Sequence, residues 1–95
     1  MIERTNQAFH ELDKKYYLQT FKRYPLALEK GTGALVFDVE GKAYIDALGG
    51  IAVTSVGHSH PRVVKAICDQ AARLVHISNF YVSDACPKTY LAFWP

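Results

Sequence analysis

The chain has 95 residues, 49% of them hydrophobic and 13% aromatic, and its 11 basic and 9 acidic side chains leave a formal net charge of +2. Hydrophobicity at that level with so little net charge excludes intrinsic disorder, charges scattered along the chain exclude the concentrated basic face of a nucleic-acid binder, and no apolar stretch approaches the ~18–20 residues of a membrane span. The length fits one small domain or a piece of a larger one, and burial at this size reaches only about 60–68% of the unfolded surface, so independent stability is marginal.

The first residues carry acid and amide groups where a targeting signal would be basic and then apolar, and a cytoplasmic chain is expected. From Thr5 to about Tyr17, Phe9, Leu12 and Tyr16 recur at helical spacing among Glu11, Asp13, Lys14 and Lys15, which predicts an amphipathic opening helix. Thr5 is its N-cap, because a hydroxyl accepts a bond from an amide that the first turn leaves unpaired. The helix must end before Tyr24-Pro25, since proline disfavours a helical backbone at the preceding residue.

The period then changes. Leu35, Phe37 and Val39 share one face of an extended run with Val36, Asp38 and Glu40 on the other, and residues 42–48 alternate again. Glu40-Gly41 between them reads as a hairpin turn. Residues 26–30, set off by Gly31-Thr32-Gly33, add a third strand, and the result is a small antiparallel sheet. Gly49 and Gly50 close it, and the segment to Gly57 has too little side chain to pack as a regular element, so it reads as a loop. Pro61 suits the first turn of a helix, where a missing N–H costs nothing. Val63, Val64, Ile67, Ala71, Leu74 and Val75 give that helix an apolar face to about Val75, and Ser78-Asn79 ends it. Residues 82–95 change character, with Pro87 and an aromatic ending at Phe93-Trp94-Pro95.

Several motifs invite chemistry. Gly31-Thr32-Gly33-Ala34 leads into a strand, whereas a phosphate cradle needs a helix start, so a turn is the reading. His58-Ser59-His60, with His10 or His76, lacks a carboxylate or cysteine at ligand spacing, and no metal is expected. His58 instead bonds locally in its loop, and His60 caps the following helix. Of the two cysteines, Cys68 is expected as a buried free thiol within a helix, and Cys86 makes neither a metal pair with it nor a disulfide. Gly49-Gly50-Ile51-Ala52-Val53 has two readings of equal weight: a backbone that lets a ligand approach, with small apolar residues lining a pocket, or a turn that leaves a sheet.

The run from Gly33-Ala34-Leu35-Val36-Phe37-Asp38 through Gly49-Gly50-Ile51-Ala52-Val53 to Gly57-His58-Ser59-His60-Pro61 resembles the class III aminotransferases that use pyridoxal phosphate, and most of all their acetylornithine branch. The similarity covers roughly Tyr17 to Tyr81. It implies an α/β fold, the amino-terminal segment of a fold-type-I pyridoxal-phosphate-dependent transferase, with an arm helix, a small antiparallel sheet and one amphipathic helix, incomplete as a domain. By the same likeness Gly49, Gly50, Ile51, Ala52 and Val53 line the substrate side, and Asn79 and Tyr81 stand near the active site or the dimer interface.

The implied reaction moves an amino group between N-acetylornithine and 2-oxoglutarate in arginine biosynthesis, in a homodimer when full length, with ornithine, 4-aminobutyrate or succinyl-diaminopimelate as alternative donors. Such chemistry needs a lysine presented in a pocket, a phosphate loop at a helix start and an acid against the pyridine nitrogen. Lys14, Lys15, Lys22, Lys30, Lys42, Lys65 and Lys88 all sit on surface patterns or in strands, so no catalytic residue is assigned and the chain alone is expected to be inactive. Residues 1–81 thus read as an amino-terminal small-domain segment. Residues 82–95 depart from the family's next helix and read as a divergent tail from a shifted frame or a truncated gene. The alternative is a non-catalytic module that docks on a full-length aminotransferase.

Overall fold

In a computed structural model of the chain, residues 3–84 are described. The backbone divides into two units, Met1–Pro61 and Arg62–Pro95.

The first unit opens with α1, Asn6–Tyr16. Thr5 holds an extended conformation and its Oγ1 accepts from the Ala8 N–H at 3.2 Å, as an N-cap hydroxyl does. Lys14 and Lys15 occupy the last turn, where positive charge complements the exposed carbonyls. The chain turns extended at Tyr17, whose N–H still reaches the Asp13 carbonyl at 2.9 Å. Arg23 then folds back, donating from Nε to the Asp13 carboxylate at 2.9 Å and laying its guanidinium 4.2 Å from the Tyr17 ring.

Three strands follow, β1 (Leu28–Thr32), β2 (Leu35–Asp38) and β3 (Ala43–Ile45), antiparallel in the order β1-β2-β3. Gly31 opposes Val36 and Thr32 opposes Leu35, whereas an irregularity between Leu28 and Lys30 shifts the register by one residue. Val36 opposes Tyr44 across the other pair. The β2–β3 turn closes with the Asp38 N–H on the Lys42 carbonyl and the Gly41 N–H on the Asp38 carbonyl, both at 3.0 Å. Glycine suits this turn because Gly41 has φ 85°. β1 includes the Gly31 and Thr32 that the spacing sets outside it, and β3 covers only Ala43–Ile45 of the run expected over residues 42–48.

What is buried differs from the apolar alternation. Among the described residues Val36, 8% exposed, is the one hydrophobic residue that counts as buried, and its neighbour on the same face, Asp38, is 1% exposed. A carboxylate tolerates such burial only when its oxygens are satisfied. Asp38 Oδ1 accepts from the Glu40 and Lys42 N–H groups at 3.0 and 2.8 Å, and Oδ2 accepts from Asn6 Nδ2 at 3.0 Å and the Tyr44 hydroxyl at 2.8 Å. Asn6 also accepts the Ala27 N–H on its Oδ1 at 2.8 Å. One amide side chain therefore pins α1 to both the entry of β1 and the end of β2. Asn6 and the other donors hold the Asp38 carboxyl below its ordinary range, and the bond to Asp38 raises the Tyr44 hydroxyl.

Gly49–Ala52 form a single turn, α2, in the first unit, and the second unit holds all but the first residue of α3, Pro61–Ala71. α3 ends short of the Val75 expected from its apolar spacing. The Arg73 N–H turns to the Gln70 carbonyl at 3.0 Å, three residues back, and the Gln70 side chain donates to the Leu74 carbonyl at 3.0 Å, so the last turn tightens and stops. No residue of α3 is buried. Cys68 is accordingly an exposed free thiol, a correction to the buried thiol expected from its place on the helix. Cys86, Lys88, Pro87 and the aromatic ending lie outside the described residues.

Candidate functional site

The candidate site is the segment between β3 and Pro61. Residues Gly49–Ala52 form a single turn, α2, in place of the open loop expected there, and it winds the wrong way for L-residues. Gly49, Gly50, Ile51 and Ala52 have φ of 56°, 62°, 60° and 63°, all left-handed. Glycine enters this region freely, but Ile51 and Ala52 bring a Cβ against a carbonyl, which costs about 1–2 kcal/mol each. The Ile51 and Ala52 N–H groups both turn to the Leu48 carbonyl, at 3.0 and 3.3 Å, and the Thr54 N–H reaches back to the Gly49 carbonyl at 2.9 Å. Val53 returns to right-handed geometry, with φ −75° and ψ −39°. The turn presents the Ile51 and Val53 side chains outward, each 81% exposed.

Two side chains outside the turn hold its ends. Asp46, just beyond β3, accepts the Leu48 and Gly49 N–H groups on Oδ1 at 3.1 and 2.9 Å. Its Oδ2 stands 2.7 Å from His58 Nε2, a partner twelve residues on in sequence. His58 is fixed in turn by its backbone: its N–H donates to the Gly33 carbonyl at 2.8 Å and its carbonyl accepts the Gly33 N–H at 3.0 Å. The root of its ring lies on Gly31, where a Cβ would come within 2.6 Å of His58 Cγ. Ser59 adds a bond from its hydroxyl to the Gly31 carbonyl at 2.8 Å. The His58 contact first, then the Gly49 N–H, lowers the Asp46 carboxyl below its ordinary range.

The first unit thus brings Gly49, Gly50, Ile51, Ala52 and Val53 together as one turn. Asn79 and Tyr81 belong to the second unit. There both are exposed, beside a local turn in which the Tyr81 N–H donates to the Ser78 carbonyl at 3.1 Å and the Phe80 N–H to Ser78 Oγ at 3.3 Å. The motif reading anticipated a local bond for His58 but not its carboxylate partner. A signal was present: an aspartate three residues ahead of a Gly-Gly pair is placed to accept the first amides of a turn.

The described lysines do not fit a covalent pyridoxal site. Lys14, Lys15, Lys22, Lys30, Lys42 and Lys65 are all exposed, Lys14 and Lys65 are paired with Glu11 and Asp69 on their own helices, and Lys30 and Lys42 lie over the Phe37 and Tyr44 rings. Gly31 and Thr32 belong to a strand, without the helix-start amides of a phosphate cradle. A cavity of about 210 Å³ between α1 and the segment entering β1 is lined in part by His10, Asp13 and Arg23, but no lysine lines it and its Arg23 is already paired with Asp13. Among the described residues no three of His, Cys, Asp and Glu are grouped to hold a metal, and no helix is long and apolar enough to cross a membrane.

Residues 16–91 match the model of the family described as Aminotransferase class-III. The chain belongs to that family. It is 54% identical over 71 residues to the acetylornithine aminotransferase of Methanothermobacter thermautotrophicus, covering 75% of this chain and 18% of that protein. With the acetylornithine aminotransferase of Methanosarcina acetivorans the identity is 57% over 74 residues, covering 78% and 19%. Among solved structures, the acetylornithine aminotransferase of Elizabethkingia anophelis superposes with a TM-score of 0.90 at 31% identity, over 95% of this chain and 22% of that one. The ornithine aminotransferase of Toxoplasma gondii, described with partial occupancy of pyridoxal phosphate at its active site, gives 0.84 at 36% identity over 95% and 22%. The fold is therefore that of an amino-terminal segment of a fold-type-I aminotransferase. The chain spans about a fifth of the length of the relatives it matches.

Proposed function

We propose that this chain is the amino-terminal part of a pyridoxal-phosphate-dependent aminotransferase that moves an amino group between N-acetylornithine and 2-oxoglutarate, a step of arginine biosynthesis, in a homodimer and in the cytoplasm. The observation that carries this reading is identity above 50% to acetylornithine aminotransferases across the strand, glycine-turn and helix segments. Bound pyridoxal phosphate supplies the electron sink of such reactions. The lysine, phosphate loop and acid that hold it belong to the four-fifths of the relatives' length that this chain does not span. The chain contributes binding surface: Gly49, Gly50, Ile51, Ala52 and Val53 on the substrate side, and Asn79 and Tyr81 near the active site or dimer interface. Residues 1–81 act as the small-domain segment.

Alone the chain is inactive. Purified chain mixed with pyridoxal phosphate, N-acetylornithine and 2-oxoglutarate should show neither a protein-bound cofactor band nor glutamate formation, and measurable transamination overturns that statement. The coding DNA read past the Pro95 codon in all three frames tests the larger reading. A frame that supplies a pyridoxal lysine supports it, and three empty frames refute it.

A second reading, a non-catalytic module that docks on a full-length aminotransferase, draws support from the exposure of Val63, Val64 and Ile67 on α3, with no buried residue in that helix. Co-purification with an aminotransferase is the expected result under this reading, and isolation as a lone monomer counts against it.

A further inference from the structure

The left-handed turn at Gly49–Ala52 is the feature of this chain that its local sequence explains least. Two of its four residues carry side chains that disfavour the conformation, and the turn buries none of its own residues. A strained backbone persists only where surrounding contacts over-determine it. Those contacts converge on one carboxylate. One Asp46 oxygen takes the amides that enter the turn, the other meets His58, and His58 is itself locked to the β1–β2 turn by both of its backbone groups. The two ends of the segment are thereby tied to each other and to the sheet.

We propose that Asp46 and His58 are positioning residues that clasp the Gly49–Ala52 turn in its left-handed form and so set the geometry of the substrate-side backbone. This rests on the substrate-side reading of Gly49 to Val53. A carboxylate is suited to the task because one group accepts from two amides and an imidazole at once, and bonds to an ionised acceptor are the stronger kind. Gly49 takes its direction from Asp46 Oδ1, and the outward Ile51 and Val53 side chains take theirs from the turn. His58 carries the restraint across to the sheet, so that the turn moves with β1 and β2.

The test is amide exchange and carbon chemical shifts on the full chain by NMR, which read the loop backbone and not turnover. Asp46→Ala should speed exchange at Gly49 by about ten- to a hundredfold, the factor expected for one lost bond to a charged acceptor, and should move the Ile51 and Ala52 shifts away from left-handed values. The Asp38 N–H, which donates to the Lys42 carbonyl in the β2–β3 hairpin, reports that the sheet is still formed. His58→Ala should loosen Gly49 less, and His58→Gln, whose amide can still donate to Asp46, should restore protection. Unchanged Gly49 exchange and Ile51 shifts in a still-folded Asp46→Ala chain overturn the clasp. Should Asp46→Ala unfold the chain, His58→Ala decides by the same readout, with loosening at Gly49 expected and unaltered exchange the refutation. The underlying reading fails separately, through the coding-DNA and activity experiments, whatever the turn does.

Discussion

Replacing Gly31 with alanine drives a wedge between the sheet and the candidate site. An added Cβ would stand 2.6 Å from His58 Cγ and 2.8 Å from His58 Cβ, distances that real side chains do not adopt. The atoms met are the root of the imidazole, which cannot swing aside without turning the ring off Asp46. Overpacking of this kind costs about 1–3 kcal/mol. Against it, alanine in a strand regains about 0.5–1 kcal/mol over glycine, because the unfolded chain has less freedom to lose. Gly31→Ala alone should therefore destabilise, by up to about 2.5 kcal/mol. In a His58→Gly background, which removes the atoms in the way, the same change should become mildly stabilising. Equilibrium urea unfolding of the four proteins closes the cycle, and a coupling of about 1–3 kcal/mol is expected for residues in direct contact. In the single variant the Asp46 carboxyl should also titrate nearer its ordinary range, having lost the contact that lowers it most. A Gly31→Ala chain that gains stability in both backgrounds would refute the packing of His58 on Gly31 and, with it, the route by which the sheet holds the loop.

Thr5→Ala removes the N-cap bond to Ala8 and should cost about 1 kcal/mol, read as lost helical circular dichroism and a lower urea midpoint. Asp38 and Asp46 both have carboxyls lowered in the fold, so between the folded and unfolded values the unfolded chain binds more protons and stability falls as pH falls. Their contribution should be complete above about pH 4–5 and be lost as pH drops through the folded values. Asp38→Asn should lower the midpoint at neutral pH, since its amide turns a donor toward Asn6 or Tyr44, and should flatten the acid limb; an unchanged acid limb refutes the four-donor arrangement. Val36→Ala should cost about 2 kcal/mol by removing buried methyl groups. Ile67→Ala, at a position 63% exposed, should stay within about 0.5 kcal/mol in the chain alone, as a urea series on both variants will show.

The described residues are held together mainly by polar anchors. Val36 is the single buried hydrophobic side chain among them, so the arrangement of α1, the sheet and the glycine turn depends on Asn6, Asp38, Asp46 and His58 to an unusual degree. Hydrogen bonds contribute modestly when made and cost more when one partner is left unpaired. Such a unit holds its geometry through satisfied groups and derives little stability from burial. That agrees with the exposure of the apolar side chains Ile51 and Val53 in the turn and Ile67 on α3.

Periodicity recovers what is local. The α1 cap at Thr5, the turn at Gly41, the three antiparallel strands and the helix start at Pro61 each follow from residues within a few positions of one another. The buried face of β2 did not follow, because Leu35, Phe37 and Val39 make the more apolar stripe while the sheet buries Val36 and Asp38. That choice is made by Asn6, thirty-two residues upstream of Asp38, and by Tyr44 across the strand pair. Likewise Asp46 alternates as an ordinary polar strand residue and His58 reads as half of a His-Ser-His motif. Their pairing emerges only once the three-strand register puts the end of β3 and the β1–β2 turn beside the two ends of one loop. Spacing along the chain leaves the glycine segment equally a ligand approach or a turn out of the sheet, and its left-handed form is visible only in the fold, where Asp46 and His58 meet across it.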